Sequence, residues 1–284
     1  MRIGIVDHHL NNYHADKFLS LLRGPLKDEG LEIAAAWESD PTGDDWCAKN
    51  GVRRASDPAD AVREADAVML LAPDNIEDHR KLAETVLPFG KPTLIDKFLA
   101  LNLTDSKAIL ALAEKHKAPI FSSSSLRYAV ELKAVKEDFA GGKATEVYVR
   151  GMGAWDGYGV HSVSMALRIM GSDAKRLIDT GTTSARTVTL DYGEDRRALI
   201  DVRTASNEWD EFNWRFAFRT GDRYVSADIK EYDGFYANLM KEAAAFFRTG
   251  KSSMSVAEAL TTVAILEGAN RSRAAGGQWM DIVS

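Results

Sequence analysis

The chain has 284 residues, of which 45% are hydrophobic and 27% charged, a composition typical of a globular protein with room for two domains. Its formal charge of −6, with 36 basic and 42 acidic residues and no basic run, argues against a nucleic-acid partner. It has no apolar run of membrane-spanning length and no signal-peptide pattern, and its single cysteine is Cys47, so a cytoplasmic protein without a membrane partner is expected.

The first 120 residues alternate short apolar strands with helical segments. Strands are predicted at residues 2–6, 31–37, 67–71, 92–95 and 119–121. Helices are predicted between them at residues 13–22, 58–64, 76–86 and 106–115. This alternation predicts a Rossmann-like, doubly wound parallel sheet.

The turn after the first strand combines a nucleotide-binding architecture with unusual residues. A strand that leads into a helix at this point is how a dinucleotide-binding βαβ unit begins, and three glycines normally let its backbone approach a pyrophosphate. Here those positions hold Asp7, His9 and Asn12. Either the cofactor binds in a shifted pose, or it does not bind.

The pattern changes after the serine run at residues 122–125. Strands with alternating apolar and polar residues are predicted at 146–150, 187–192, 198–203 and 212–218, and helices at 127–139, 235–248 and 256–275. This pattern is typical of a largely antiparallel sheet packed on one side. We therefore expect a Rossmann-like dinucleotide-binding domain at 1–122 and an α+β substrate and oligomerisation domain at 123–284.

Four motifs, in order, resemble the Gfo/Idh/MocA oxidoreductase superfamily, typified by glucose–fructose oxidoreductase and inositol dehydrogenase. They are Ala72-Pro73-Asp74-Asn75 followed by His79, the segment 90–100 with Asp96-Lys97-Phe98, the helix start at Gly159-Val160-His161, and the final helix pair. The resemblance covers nearly the whole chain. It implies an NAD(P)-dependent oxidoreductase that transfers hydride between nicotinamide and a sugar, polyol or keto-sugar carbon.

The resemblance also implies catalytic roles. Lys97 matches the lysine of the family's EKP motif and is expected to orient the substrate oxygen and stabilise negative charge on it. His161 matches a family histidine at a helix start and is expected to accept the hydroxyl proton. The family's aspartate corresponds to Gly157, so Asp156 or Tyr158 is expected to orient His161 instead.

The expected cofactor-binding residues lie at the ends of the first four predicted strands. Glu38 ends the second strand, where the family has an acid that binds ribose hydroxyls, and there it favours NAD over NADP; Asp40 is a second candidate. The full set is Asp7, His8, His9, Asn11, Asn12, Glu38, Ala72, Pro73, Asn75, His79, Asp96 and Lys97.

A metal site near the N-terminus is considered and not expected. His8, His9 and His14 are close in sequence to two carboxylates, but adjacent residues seldom reach the same ion, and the step from His9 to His14 misses one helix face. His14 is instead expected to pack in the first helix.

An alternative function follows from the missing glycines and from Gly157. The chain is then a divergent family member without net redox turnover, either a keto-sugar lyase or isomerase or a sugar-binding sensor, with weak or absent nucleotide binding. In both cases the expected partners are a small sugar or polyol and a second copy of the chain, bound through the C-terminal sheet.

Overall fold

A computed structural model describes residues 1–137, 144–204 and 213–283, without the side chains of residues 136 and 137. The chain forms two compact units, each described separately below. The first contains Met1–Ser123 and Tyr236–Val256, and the second contains Ser124–Phe235 and Ala257–Ser284. The segment 236–256 therefore belongs with the N-terminal residues, an arrangement that a single boundary after residue 122 does not describe.

The first unit is built on a six-stranded, fully parallel sheet. Its strands are β1 (Arg2–Asp7), β2 (Glu32–Glu38), β3 (Arg53–Arg54), β4 (Ala67–Leu70), β5 (Thr93–Asp96) and β6 (Ile120–Ser123). Their order is β3-β2-β1-β4-β5-β6, the order of a Rossmann fold. The predicted doubly wound sheet is confirmed, and the strands end where polar residues begin.

The central strands of this sheet are buried on both faces. All four residues of β4 are buried, and Ile3 and Ile5 of β1 have no exposed surface. Gly4 is required for close packing, because a Cβ at this position would lie 2.3 Å from the backbone oxygen of Ala61.

Five helices of the first unit connect these strands. They are α1 (Tyr13–Arg23), α2 (Trp46–Asn50), α3 (Pro58–Arg63), α4 (His79–Val86) and α5 (Leu103–His116). The single helix predicted at 76–86 is instead a 3-10 turn, Ile76–Asp78, followed by α4. Helix α2 buries Cys47, whose sulfur lies 3.9 Å from the carbonyl oxygen of Ala36 in β2.

The second unit is built on a seven-stranded mixed sheet. Its strands are β7 (Glu146–Met152), β8 (Arg176–Asp179), β9 (Ala185–Gly193), β10 (Arg196–Arg203), β11 (Arg215–Thr220), β12 (Arg223–Asp228) and β13 (Met280–Asp281). The order is β12-β11-β7-β10-β9-β8-β13, and every pair is antiparallel except β7 with β10. The largely antiparallel sheet predicted from the sequence is confirmed.

The alternating segment predicted at 212–218 corresponds to β11. Phe212 lies outside the described residues, and the strand runs from Arg215 to Thr220. Phe216 and Phe218 are buried on its apolar face, while Arg215 is exposed, as the alternation predicts.

Four helices complete the described chain. They are α6 (Val130–Glu137), α7 (Trp155–Met170), α8 (Tyr232–Thr249) and α9 (Val256–Ala274). No helix among the described residues is both long enough and apolar enough to span a bilayer.

The helix start predicted at His161 is wrong, because α7 begins six residues earlier, at Trp155. Gly159 does not interrupt this helix. Its missing side chain makes room for the ring of Trp155, since a Cβ there would lie 2.9 Å from that ring. Asp156, Gly157 and Tyr158 therefore lie in the first turn of α7 and not in a preceding loop.

Candidate active site

The buried side chain of Asp7 is hydrogen-bonded within the β1–α1 turn and to the end of β4. Its Oδ1 accepts hydrogen bonds from the backbone N–H groups of His8 at 2.7 Å and Ala72 at 2.9 Å, and its Oδ2 accepts one from Asn12 Nδ2 at 2.9 Å. The residue has no exposed surface. Asp7 therefore joins the ends of β1 and β4 and does not present a carboxylate to solvent.

The environment of Asp7 also changes its ionisation. Burial raises the pKa of Asp7 to about 7, although the hydrogen bonds from Asn12, Ala72 and His8 lower it. The carboxyl is therefore partly protonated at neutral pH, so the negative charge in the turn is smaller than the sequence alone indicates.

Further polar groups at the turn also have partners within the chain. The backbone N–H of Leu10 donates to Glu38 Oε2 at 2.6 Å, and Asn12 caps α1 by accepting from the N–H of Ala15 at 2.9 Å. Glu38 Oε1 accepts from Arg54 Nη1 at 3.0 Å, and the side chain of Glu38 is only 1% exposed.

These contacts decide how well the turn fits a dinucleotide. A Rossmann turn binds pyrophosphate through backbone amides at the helix N-terminus. Here a carboxylate already accepts from the amide of Leu10, and Asn12 covers the N-terminus of the helix. The turn does not fit a pyrophosphate in the usual pose, and Glu38 presents almost no surface to ribose hydroxyls.

Lys97 lies just after β5 in a strained backbone conformation. Its φ of +56° is in the left-handed region that side chains other than glycine rarely adopt. Its Nζ donates to the carbonyl oxygen of Pro73 at 2.7 Å and lies 3.6 Å from the carboxylate of Asp74, with only 5% of the residue exposed. The ammonium is thus held at the carboxyl edge of the sheet, where ligands of α/β folds bind.

His79 supports the two loops beside Lys97. Its Nδ1 lies 3.1 Å from the carbonyl oxygen of Leu99, and its Nε2 lies 2.9 Å from that of Leu71. Burial lowers the pKa of His79, and the residue has no exposed surface. His79 therefore has no exposed atom with which to make the predicted contact with a cofactor.

The neighbouring loop residues have different accessibility. Ala72 adopts a positive φ of 45° and is buried, as is Pro73, whereas Asn75 is partly exposed. Of the cofactor-binding residues predicted in this loop, Asn75 offers the most accessible side chain, and the neighbouring Asp74 is more exposed still.

Asp96 belongs to a chain of three polar side chains within the first unit. Its Oδ2 forms a short hydrogen bond with His14 Nδ1, and His14 Nε2 lies 3.4 Å from the hydroxyl of Tyr236. Burial alone would raise the pKa of Asp96, but the imidazole of His14 and the ammonium of Lys97 outweigh it, so this pKa lies below its usual value. Asp96 is buried and holds α1 against the end of β5.

Asn11 and His9 attach the turn to the loop that follows β2. Asn11 Nδ2 donates to the carbonyl oxygen of Asp44 at 2.7 Å, and His9 Nδ1 makes a short contact with the carbonyl oxygen of Asp40. His8 Nδ1 lies 2.8 Å from Asp78 Oδ2. The polar groups of these three residues therefore contact the protein itself.

In the second unit, His161 lies in the second turn of α7. Its Nδ1 lies 2.8 Å from the hydroxyl of Ser124, and its ring packs edge-on against the rings of Tyr158 and Trp214, with centroids 5.7 Å apart in each case. Ser124 is thus the hydroxyl that orients the imidazole.

Asp156, the other predicted orienting residue, has a different partner. Its Oδ1 accepts from Asn270 Nδ2 at 2.7 Å, at the exposed start of α7. A carboxylate at this position also interacts favourably with the positive end of the helix dipole. These contacts give Asp156 a structural role, whereas Tyr158 contacts the imidazole ring directly.

The sequence interpretation missed Ser124, Tyr236 and Arg54. Ser124 lies in the serine run at 122–125, where the sequence shows only a change of pattern, and Tyr236 is more than 200 positions from His14. Arg54 lies outside every strand predicted from the sequence, yet β3 pairs beside β2 and brings it to Glu38. A search for arginines beside strand-end acids in neighbouring strands would have identified the last of these.

Each unit supplies a group suited to acid–base chemistry. Lys97 is a buried hydrogen-bond donor with a positive charge, suited to an oxygen that becomes negative. His161 has one ring nitrogen held by a hydroxyl, as a proton acceptor needs.

Comparison with known proteins agrees with this architecture. Residues 4–124 match the family model described as an oxidoreductase family with an NAD-binding Rossmann fold, and the resemblance predicted from the motifs is confirmed. No curated protein matches the sequence of this chain.

Solved structures extend the similarity to the whole chain. A probable dehydrogenase from Thermotoga maritima has a TM-score of 0.85 and 17% identity, with 99% of each chain covered. GenD2 from gentamicin A biosynthesis, in complex with NAD, has a TM-score of 0.84 and 16% identity over 100% of this chain and 97% of GenD2. A myo-inositol dehydrogenase from Corynebacterium glutamicum has a TM-score of 0.80 and 13% identity over 100% and 99%. At these identities the similarity establishes the fold alone.

Proposed function

We propose, from the membership of residues 4–124 in the Gfo/Idh/MocA oxidoreductase family, that the protein is a dehydrogenase acting on a sugar, polyol or keto-sugar. Lys97 carries this proposal. A buried ammonium in a strained conformation at the end of β5 is costly to maintain, and strain of this kind clusters at functional sites. NAD is the cofactor expected from the family, and in this chain it needs a pose other than the usual one at the β1–α1 turn.

The two proposed catalytic residues have separate roles. Lys97 donates a hydrogen bond to the substrate oxygen and stabilises the negative charge that develops on it. His161 accepts the hydroxyl proton, and Ser124 is the positioning residue, since its hydroxyl is hydrogen-bonded to Nδ1 of the imidazole. Tyr158 packs against the same ring.

The test combines cofactor binding with turnover. NADH and NADPH are titrated by fluorescence, and a panel of sugars and polyols is screened for dinucleotide-dependent turnover. We expect Lys97→Met and His161→Asn each to lower kcat/KM by roughly 100-fold or more, with Lys117→Met, an exposed lysine, as the matched control. If both residues act on one step, kcat/KM of the double variant is expected to be little lower than that of the less active single variant. No NADH response at millimolar concentration, with no turnover, would contradict the proposal.

A second candidate function has its own supporting observation. Glu38 accepts from the amide of Leu10, and Asp7 and Asn12 occupy glycine positions, so the usual pyrophosphate site is filled by the protein itself. This favours a family member without net redox turnover, either a keto-sugar lyase or isomerase or a sugar sensor.

Thermal unfolding separates the two candidates. A ligand that binds only the folded state at 100 times its Kd stabilises it by about 2.7 kcal/mol. Melting shifts with sugars but none with NAD, NADH or NADPH would support the second candidate. A nucleotide shift of comparable size would support the first.

We also propose a homo-oligomer formed through the seven-stranded sheet. Leu199 in β10 is an exposed apolar side chain beside Arg197 on the polar side of that sheet. Light scattering after size exclusion would give the mass, and Leu199→Asp is expected to lower it if this face is the interface. A monomer at every concentration would contradict this proposal.

A further inference from the structure

Two adjacent histidines just after β1 face the same carboxylate. Their rings lie edge to face with centroids 4.1 Å apart, and the Nε2 atoms of His8 and His9 are each 3.9 Å from Asp40 Oδ2. One ligand atom from each residue lies within 4.8 Å of the other two. Three potential metal ligands therefore converge on one point.

Each histidine has an acceptor on its other nitrogen. His8 Nδ1 lies 2.8 Å from the carboxylate of Asp78, and His9 Nδ1 contacts the backbone carbonyl oxygen of Asp40. An acceptor at Nδ1 favours the tautomer with hydrogen on that atom, which leaves the Nε2 lone pair available to bind a metal. Such outer contacts are typical of histidines that bind metal ions.

The backbone holds these residues in place. The N–H of Ser39 donates to the carbonyl oxygen of Asp7 at 3.1 Å, and the N–H of Asp40 donates to that of His8 at 3.0 Å. The two segments that carry the ligands are therefore directly hydrogen-bonded to each other. Only side-chain rotation is left to complete a metal site.

The three groups would together stabilise a bound cation. Two imidazole lone pairs and a carboxylate oxygen each attract a positive ion placed between them. The three side chains are 19%, 28% and 64% exposed for His8, His9 and Asp40, so an ion can reach them from solvent.

We propose that His8, His9 and Asp40 bind a divalent transition-metal cation, with Zn²⁺ as the best match, and that Asp78 is the positioning residue for His8. Two imidazoles and one carboxylate form a ligand set that suits Zn²⁺ and not Mg²⁺. Bonds of 2.0–2.1 Å in a tetrahedron place ligand atoms about 3.3 Å apart, so the observed 3.9 Å separations close by roughly 0.6 Å. Three protein ligands leave a fourth position open to water or to a ligand oxygen.

The sequence argues against a metal site at His8, His9 and His14 because adjacent residues seldom reach the same ion. That rule applies within a strand, where successive side chains point to opposite faces. His8 and His9 lie beyond the last residue of β1, so the alternation does not apply to them. His14, the third histidine considered, is instead bonded to Asp96.

The test uses the full chain after treatment with a chelator. Co²⁺ is titrated by its visible absorption, and we expect one equivalent to bind, Zn²⁺ to displace it and Mg²⁺ to have no effect. His8→Ala and His9→Ala are each expected to weaken Co²⁺ binding by at least about 100-fold, and Asp78→Asn by about 10- to 100-fold. His116→Ala and Asp44→Asn are the matched controls and are expected to bind as wild type.

A second measurement on the wild-type protein does not depend on the folding of variants. Diethyl pyrocarbonate modification, located by mass spectrometry, is expected to be slowed by Zn²⁺ at His8 and His9 but not at His116. Absence of saturable Co²⁺ binding, unchanged binding by His8→Ala and His9→Ala, or no protection by Zn²⁺ would each overturn the proposal. None of these measurements requires turnover, so the site is tested independently of the proposed dehydrogenase activity.

Discussion

Lys97 has the most unusual backbone of the predicted catalytic residues. It carries a large side chain at φ +56°, immediately after β5, with its N–H bonded to the carboxylate of Asp96 at 2.8 Å. A left-handed residue other than glycine costs roughly 1–2 kcal/mol. The fold retains this cost at the residue whose ammonium is best placed for chemistry.

Replacing Lys97 with glycine or with alanine measures this strain. Both variants lose the ammonium, but only glycine relieves the left-handed conformation, so Lys97→Gly is expected to be more stable than Lys97→Ala by roughly 0.5–1 kcal/mol. Chemical denaturation gives the difference, and the same pair at Lys117, with φ +55° at the end of α5, is the control. Equal stability of the two Lys97 variants, with a clear difference at Lys117, would contradict the strain.

His79 makes stability depend on pH. Burial lowers its folded-state pKa below the usual 6.5, so below pH 6.5 the unfolded chain takes up a proton that the folded protein does not. Its contribution to stability is therefore complete above pH 6.5 and decreases as the pH falls below it. The advantage of wild type over His79→Gln is therefore expected to shrink as the pH falls from 7.5 to 5.5.

Urea unfolding at the two pH values measures this change. His116→Gln is the control, because His116 is not buried, and its difference from wild type is expected to stay nearly constant. Because Asp7 titrates in the same range in both proteins, comparison with the variant isolates His79. A difference that is the same at both pH values would show that His79 accepts a proton in the folded state.

Ser124 is expected to act through His161. Ser124→Ala removes the hydroxyl 2.8 Å from Nδ1 and is expected to lower kcat by about 10-fold, the effect of one lost hydrogen bond, with little change in KM. Ser124→Thr keeps the hydroxyl and is expected to restore most of the rate. Ser122→Ala is the control, because the buried Ser122 Oγ has no hydrogen-bond partner among the described residues. An equal loss of kcat in both alanine variants would contradict this role.

Among the elements, the β1–α1 turn differs from the glycine-rich turn that is typical of dinucleotide-binding Rossmann folds. Its helix is capped by Asn12 and its amide at Leu10 is bonded to Glu38, so both groups already have partners within the chain. A dinucleotide has to displace at least one of these groups.

Removing the side chain of Asp7 tests whether the turn limits nucleotide binding. Asp7→Gly restores the first glycine and removes the carboxyl, so NADH affinity is expected to rise by about 10-fold, equivalent to about 1.4 kcal/mol. NADH fluorescence measures the affinity, and Asp44→Gly, at an exposed acid, is the control. Unchanged affinity in a folded Asp7→Gly variant would place the limitation elsewhere, at Glu38 or Asn12.

The sequence predicted nine of the thirteen described strands, because apolar runs and period-two alternation directly reflect burial; it missed β3, β8, β12 and β13. The start of α7 was predicted six residues late, since Gly157 and Gly159 look like turn residues. Gly159 is instead explained by the ring of Trp155, a packing contact that local spacing does not reveal. The ends of the predicted strands indicated several candidate site residues. The hydrogen-bond partners of Glu38, Asp7 and His161 could not be predicted, because they depend on contacts between distant segments.

At the scale of the whole molecule, the feature that is hardest to predict is which segments of the chain form the first unit. Residues 236–256 join it after more than 100 intervening residues, and Phe246 packs on Phe121 of β6 with ring centroids 5.6 Å apart. Arg248 also pairs with Glu29 at 2.9 Å. A sequence pattern identifies a helix here but not the sheet that it covers.

Phe246→Ala is therefore expected to destabilise the N-terminal sheet. Truncating a fully buried phenylalanine costs about 3–5 kcal/mol. Denaturation followed by amide hydrogen exchange is expected to show lost protection in β5 and β6, with Lys241→Ala on the same helix as the exposed control. Unchanged protection in these strands would show that the segment contributes little to that unit.

The buried thiol of Cys47 can report on local opening of the fold. Its thiol is 1% exposed beneath α2, and burial raises its pKa, so the folded protein resists thiol reagents. Labelling of Cys47 then requires α2 to separate from β2, so the rate of thiol labelling measures how often this part of the fold opens. For the same reason, a cysteine engineered on the surface can carry a dye or spin label with no need to remove the native thiol first.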